Sequence, residues 1–375
     1  MIIKNAKVYG SDFNFHNQDV YIKDSLIAQK PSTDEKIIDA KGLMCIPSFV
    51  DIHLHGANCA DFMDGSIESL NKITSYQLLH GVSSICLASM TMPYESLEKA
   101  FKCVANFDSA FDKASIEGIY MEGPFISPNK AGAQNKAYLK APDYEFFKKL
   151  NEASGNLIKV LVLACELEGA DTLIKKCQDK VQISLGHTNI DYQKANWAFD
   201  SGVSQLTHTF NAMPPILHRS PGPIISASEH SKVLAELICD GQHIDKAMIR
   251  FAFNLFKDRI VMISDSMMAT GLDDGRYSLG GQEVLVKGNK ATLKDGTLAG
   301  SVTNLYDCFV YAVQEAKIKL EEAIKACTYS PALSIGKHSI LGQIKPGFMA
   351  NLLLVDENLK QRAIIYKGKL FKNDL

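Results

Sequence analysis

Several things are scarce in this chain. No apolar run is long enough to cross a bilayer. The N-terminus, MIIKNAKVYGSDFNF, lacks a basic patch followed by a long hydrophobic stretch, so it does not read as a secretion signal. An excess of one charge is also missing: 40 Lys+Arg stand against 42 Asp+Glu, a formal net charge of -2. The lysines are scattered, without zinc-finger spacing or interleaved aromatics, which argues against a nucleic-acid partner. The nine cysteines (Cys45, Cys59, Cys86, Cys103, Cys165, Cys177, Cys239, Cys308 and Cys327) are odd in number and form no CxxC pair. Several sit in apolar runs such as SSICLASM, so they read as small buried hydrophobes in a reducing cytoplasm. A thiolate zinc site is not expected. What is left is the composition of an ordinary soluble enzyme, 46% hydrophobic and 22% charged, with no membrane partner.

Period-two alternation dominates both ends of the chain. MIIKNAKVYG, DVYIKDSLIAQ and KIIDAKGLMCI at the start, and ANLLLVDENL and QRAIIYKGKLFKND at the finish, predict short strands broken by turns. Neither set can bury a sheet face alone. Residues 1–48 and 344–375 are therefore expected to form one small β domain rather than two unrelated extensions. Residues 49–343 alternate apolar strand-like runs with helical patterns such as PYESLEKAFKCVANFDSAFD and DYQKANWAFDSG. The runs are SFVDIHLHG, SSICLAS, IEGIYMEGP, IKVLVLACE, VQISLGH, SQLTHTF, LAELICDG and RIVMISD. Eight of them predict an α/β fold, a (β/α)8 TIM barrel. A doubly wound sheet is the alternative, but its glycine fingerprint after an early strand is absent.

Polar residues stand at the carboxyl ends of these runs: His53, His55, Glu122, Glu166, His187, His208, Asp240 and Asp265. A barrel gathers those ends at one mouth. His53 and His55 share a strand face, so their rings can converge on one ion. Glu122 follows another strand, with Gly123 and Pro124 turning the chain away. His187 and His208 end neighbouring strands, and with Glu122 they make a His2Glu set that suits zinc and leaves room for water. Taken singly, each has an ordinary alternative, a core histidine or a capping glutamate. Asp265 ends a very apolar strand, where it can act as acid and base beside an activated water. Ser264 and Ser266 flank it, but no GxSxG elbow surrounds either, which disfavours a serine hydrolase.

DIHLHG, EGPFISPNKAGAQ, SLGHTNIDY, THTFNAMPP, ICDGQHID, SDSMMATG, DGRYSLGG and DGTLAGS together resemble the N-acetylglucosamine-6-phosphate deacetylase family of the amidohydrolase superfamily. The resemblance covers nearly the whole chain in order. HxH alone points only to the superfamily, whereas EGPF with THTFNAMPP and DGQH is more specific. The resemblance implies a metal-bearing (β/α)8 barrel with a small β-sandwich domain built from both chain ends. Glu122, His187 and His208 would hold the main metal ion. His53 and His55 would hold a second one, a site that some members fill and others have lost, with Glu122 bridging. Asp265 would be the catalytic acid/base. Ala133 and Gln134 in KAGAQ, Asn211 and Ala212 in FNAM, Arg219 in HRSPGP, Asp240 and His243 in DGQH, and Leu298, Ala299 and Gly300 in GTLAGS fall at substrate-binding positions. Arg219 is the phosphate-binding arginine by this resemblance, acting in its own subunit or across an interface.

The chain departs from many members at residue 134, where they carry histidine. Glutamine can donate a hydrogen bond to an acetamide carbonyl but cannot carry a proton in catalysis. The implied activity is hydrolysis of N-acetyl-D-glucosamine 6-phosphate to D-glucosamine 6-phosphate and acetate, in amino-sugar catabolism. The implied cofactor is one or two divalent metal ions per subunit. Zn2+ or Fe2+ come first, and Co2+, Mn2+ and Ni2+ are also compatible with these donors. The implied partners are the phosphorylated amino sugar and a second copy, in a cytoplasmic homodimer. The alternatives are a deacetylase for the galactosamine epimer, another amidohydrolase amidase or deaminase, and a non-enzymatic sugar-binding protein. The full metal and acid/base set argues against the last.

Overall fold

Each of the eight apolar runs forms a strand in the computed structural model, which describes residues 1–31, 36–108 and 110–375. They are β1 (Phe49–Leu54), β2 (Val82–Ala88), β3 (Ser115–Met121), β4 (Ile158–Leu163), β5 (Gln182–Leu185), β6 (Gln205–Leu206), β7 (Leu234–Ile238) and β8 (Ile260–Ile263). They lie side by side in sequence order, and every neighbouring pair is parallel. The ring closes just past β8. There the Asp265 amide donates to His53 O at 2.9 Å, and the His55 and Gly56 amides donate to Ser266 O at 2.8 and 3.0 Å. The last seam of the barrel therefore runs through residues singled out for chemistry.

Helices α1 (Ile67–Leu79), α2 (Tyr94–Ala105), α3 (Tyr144–Ala153), α4 (Ala170–Cys177), α5 (Tyr192–Asp200), α6 (Gly222–Glu229), α7 (Lys246–Phe256) and α8 (Leu305–Gln314) complete the alternation. Ser66, Asp143, Asp191, Asp245 and Asn304 cap five of them by accepting first-turn amides. The helix expected over PYESLEKAFKCVANFDSAFD stops at Ala105. Asn106 ends it, its side-chain amide donating to Lys102 O at 2.8 Å, the local competition that asparagine brings to a helix.

The terminal strands meet as expected. Leu352–Val355 pairs antiparallel with Met44–Pro47, joining both chain ends in a six-stranded sheet. A four-stranded sheet of N-terminal strands faces it, and Ile3, Val20, Ile22, Ile38, Leu352 and Leu354 share one buried cluster. Seven cysteines are buried and all nine are free; Cys59 is exposed and Cys103 half-buried, against the expectation. The sequence reading had no place for a three-stranded antiparallel sheet between β8 and α8, formed by Gly275–Leu279, Gln282–Lys287 and Lys290–Thr292. Its Val284 and Val286 pack on Met90, Met267 and Ala269 at the barrel mouth.

At the foot of β1, fully buried Phe49 stacks on Tyr306 (ring centroids 5.4 Å apart) and meets Phe309 edge-on at 5.0 Å. Phe49→Ala should lower stability by about 3–5 kcal/mol, read as an earlier midpoint in guanidinium unfolding.

Candidate active site

Glu122 sits just past β3 and is 2% exposed. Its two carboxylate oxygens face two different sets of donors. Oε1 lies 3.0 Å from His187 Nε2 and 3.1 Å from His208 Nε2, and those nitrogens are 3.1 Å apart. Oε2 lies 3.3 Å from His55 Nε2 and 3.7 Å from His53 Nε2. Asp265 Oδ1 completes the second set, 3.1 Å from His55 Nε2 and 3.7 Å from His53 Nε2. Two triads, Glu122/His187/His208 and His53/His55/Asp265, are each compact enough for one ion.

Backbone geometry aims these side chains. His187, His208 and Asp265 have φ of 46°, 27° and 51°, left-handed values that are uncommon away from glycine and concentrate at functional sites. Gly123, at φ 75°, could not be another residue, since a Cβ there would collide with Thr91 Oγ1. Three of the imidazoles are also fixed from behind. His187 Nδ1 donates to Lys130 O (2.9 Å), His55 Nδ1 to Ala88 O (3.1 Å) and His53 Nδ1 to Glu236 Oε2 (3.1 Å). Each anchor turns an Nε2 lone pair toward the centre.

The donor set fits a divalent cation. His53 Nε2 and Asp265 Oδ1 are buried and make no hydrogen bond among the described residues, a costly state for polar atoms unless an ion or proton serves them. The first triad is a triangle with edges of 3.0 to 3.1 Å. That is close to the roughly 3.3 Å donor spacing of a tetrahedral zinc site. The same crowding dictates the charges. Burial works against the Glu122 anion, but His53, His187 and His208 outweigh it and hold its pKa well below the usual range. Burial also opposes protonation of His55, yet Asp265 and Glu122 raise its pKa to about 10.

The triads open on a cavity of about 350 Å³. His55, Glu122, His187, His208 and Asp265 line its floor; Ala133, Gln134, Asn211, Ala212, His243, Leu298 and Gly300 line its sides. Gln134 Oε1 accepts the Thr91 amide at 2.6 Å, and its Nε2 donates to Glu122 Oε2 at 2.9 Å. That amide is thus turned to the carboxylate. Asp240 lies behind His243 rather than in the cavity wall, its Oδ2 accepting His243 Nδ1 at 2.8 Å. Burial disfavours both charges, but the pairing wins: Asp240 is held below the usual carboxylate value and His243 is raised above the usual imidazole value. Ala299 is fully buried beneath the wall, in the cluster with Met267.

Glu166 and Arg219, like Asp240 and Ala299, do not line the cavity. Glu166 ends its strand as read but turns away, accepting the Thr188 hydroxyl and the Asn189 amide. Arg219 and its neighbour His218 are exposed, and Arg219 does not line this chain's cavity. The sequence reading also missed residues that the structure places here. Asn129, Lys130, Leu279 and Thr297 line the cavity, and Gln282 donates to Ala133 O, tying the extra sheet to the 131–134 loop. Beneath the floor, Glu236 and Asp51 are fully buried. Asp51 accepts the Ser264 hydroxyl, and burial lifts its pKa to about 7 against that bond. Their signal in the sequence was a charge inside an apolar run, as in LAELI.

Comparison with known proteins places the chain among metal-dependent hydrolases. The amidohydrolase family matches residues 44–372. N-acetylglucosamine-6-phosphate deacetylase of Lysinibacillus sphaericus is 32% identical, over 99% of this chain and 97% of that relative. N-acetylgalactosamine-6-phosphate deacetylase of Escherichia coli O157:H7 is 30% identical, over 93% of each. Among solved structures, a mutant N-acetyl-D-glucosamine-6-phosphate deacetylase from Mycobacterium smegmatis, in complex with N-acetyl-D-glucosamine-6-phosphate, aligns with a TM-score of 0.92. It is 26% identical and covers 99% of both chains.

The shared carboxylate makes a specific demand on metal content. Glu122→Gln should weaken both sites, whereas His208→Ala should empty one and His55→Ala the other. Elemental analysis of reconstituted protein reads the difference as ions per chain.

Proposed function

The chain belongs to the amidohydrolase family, and on that premise we propose that it hydrolyses N-acetyl-D-glucosamine 6-phosphate to D-glucosamine 6-phosphate and acetate. The observation that carries this reading is the pair of triads, one containing Glu122 and the other facing its second oxygen, beside a cavity of about 350 Å³. That volume is in the range of small-ligand sites. Glu122, His187 and His208 would hold one divalent cation, and His53, His55 and Asp265, with Glu122, a second. When bound, the cation supplies an activated water and a Lewis-acid partner for the acyl oxygen.

The protein's own groups do the rest. Burial would raise the Asp265 pKa, but His55 and His53 hold it below the usual carboxylate value, so the group is ionised and able to accept a proton. Asp265 lines the cavity, where it would take the proton of the attacking water and return it to the departing amine. Gln134 helps hold Glu122 in register by donating to Oε2, the oxygen that also faces His55 and His53. Leu279, Thr297 and Leu298 line the same cavity.

His243 and the Asn211–Ala212 backbone serve the sugar phosphate. Arg219, exposed and outside this chain's own cavity, suits the phosphate of a neighbouring copy in a homodimer. Imidazole and carboxylate donors favour Zn2+ or Fe2+. A reducing cytoplasm suits nine free cysteines. No helix among the described residues is long and apolar enough to cross a membrane.

A relative that acts on the galactosamine epimer gives that substrate a specific claim. Acetate release should be faster, as kcat/KM, from N-acetylglucosamine 6-phosphate than from its galactosamine epimer, with no ammonia formed. The reverse order would assign the enzyme to the epimer, and ammonia would mean a deaminase. Asp265→Asn should cut turnover about 10²–10⁴-fold while first-site metal content persists. Arg219→Ala should slow the phosphorylated sugar far more than free N-acetylglucosamine, measured as the ratio of the two kcat/KM values.

A further inference from the structure

Behind the second triad stands a residue that does not line the cavity. Glu236, in the middle of β7, is fully buried, and among the described residues its one ion-pair partner is His53. Four donors converge on its carboxylate. His53 Nδ1, the Tyr120 hydroxyl and the His208 amide all reach Oε2 at 3.1 Å, and Gln205 Nε2 reaches Oε1 at 2.6 Å. Tyr120 also stacks on the His53 ring, with centroids 4.1 Å apart and planes at 27°. His53 is therefore held by its edge and its face, with Nε2 left bare toward Glu122 and Asp265.

The anchors of the other histidines are different. His55 and His187 rest on backbone carbonyls, and His208 Nδ1 makes no hydrogen bond among the described residues. Only His53 leans on a carboxylate. A carboxylate acceptor behind an imidazole makes it a stronger ligand, and such partners are commonly worth 10–100-fold in metal affinity. A buried anion with no lysine or arginine to balance it is costly unless positive charge arrives through one of its partners. A cation on His53 Nε2 would bring that charge one ring away.

We propose that Glu236 is the positioning residue of the His53/His55/Asp265 site, fixing His53 and supplying the negative charge that lets this site hold its cation. The inference rests on the two-cation reading above and goes beyond it by assigning what controls the second ion. Glu236→Gln isolates the charge, because the pocket can absorb the new amide. Gln205 Oε1 now accepts the Ser334 hydroxyl at 2.6 Å, and turning the Gln205 amide over would offer an acceptor to the new donor. Glu236→Asp isolates the reach, keeping the charge but drawing it back one methylene.

The test is zinc(II) titration of metal-stripped full-length protein by calorimetry, with elemental analysis after desalting. Wild type should bind two ions. Either variant that folds should bind the second ion 10–100-fold more weakly and the first within about twofold. In a His53→Ala background, Glu236→Gln should change nothing further. Two ions held at wild-type affinity in the variants would overturn the inference while leaving the two-cation reading intact. So would an equal loss at both sites, or a loss that persists without His53, since either means that Glu236 acts through the His208 backbone or the barrel as a whole. A wild type that saturates at one ion would overturn the two-cation reading and this inference with it.

Discussion

A single buried carboxylate sets the terms for the rest of the structure. Glu122 is almost fully removed from water, and an anion there is tolerable only if donors surround both oxygens. Four histidines and Gln134 do so, drawn from β1, the loop after β3, and the ends of β5 and β6. A parallel barrel is a frame in which strand ends so far apart in sequence converge within about 4 Å of one group. The left-handed backbones of His187, His208 and Asp265 are the local cost of that convergence. The arrangement is high-stakes: removing one donor leaves charge uncompensated, and removing Glu122 leaves four imidazoles facing one another.

The barrel's polar interior extends this logic downward. Ser334, Gln205, Glu236, Tyr120, Thr207 and Ser184 form one connected chain beneath the site, each bonded to the next. Such a network is stable only when complete, and it ends on His53. The orientation of an active-site ring is thereby tied to hydrogen bonds at the middle of the barrel. On the seam side, Ser264 and Asp51 do the same for the β8–β1 junction that carries Asp265.

Much of this was legible in the sequence, for a physical reason. Strands buried on both faces must be apolar throughout, so a charge or imidazole at their ends stands out, and the eight runs gave β1 to β8 in order. Legibility fails where direction matters. Glu166 and Glu122 end their strands alike, but one faces the loop at Thr188 and Asn189 and the other the cavity. Glu236 was passed over because it lies inside its run instead of at the end. The sheet over residues 275–292 alternates in burial as an ordinary hairpin does, and nothing in that period says what it will cover. The tail of the expected helix after Ala105 was lost to the short-range bonding of Asn106.

Chemistry and selectivity come from different parts of the chain. The floor is made by barrel strand ends, whose positions are fixed by hydrogen-bonded neighbours on both sides. The roof is the inserted sheet and the 297–300 loop, tied to the 131–134 loop by Gln282. Asn211, Ala212 and the His243 imidazole, held by Asp240, line the cavity's side, while the exposed Arg219 stands outside. A roof and rim on loops can vary without disturbing the floor. Relatives named for two different N-acetylhexosamine 6-phosphates are what that division would allow. By the same division, the epimer preference of this chain should be sought in the roof and rim, because on the proposed reaction the floor would meet the acetamide that both sugars share.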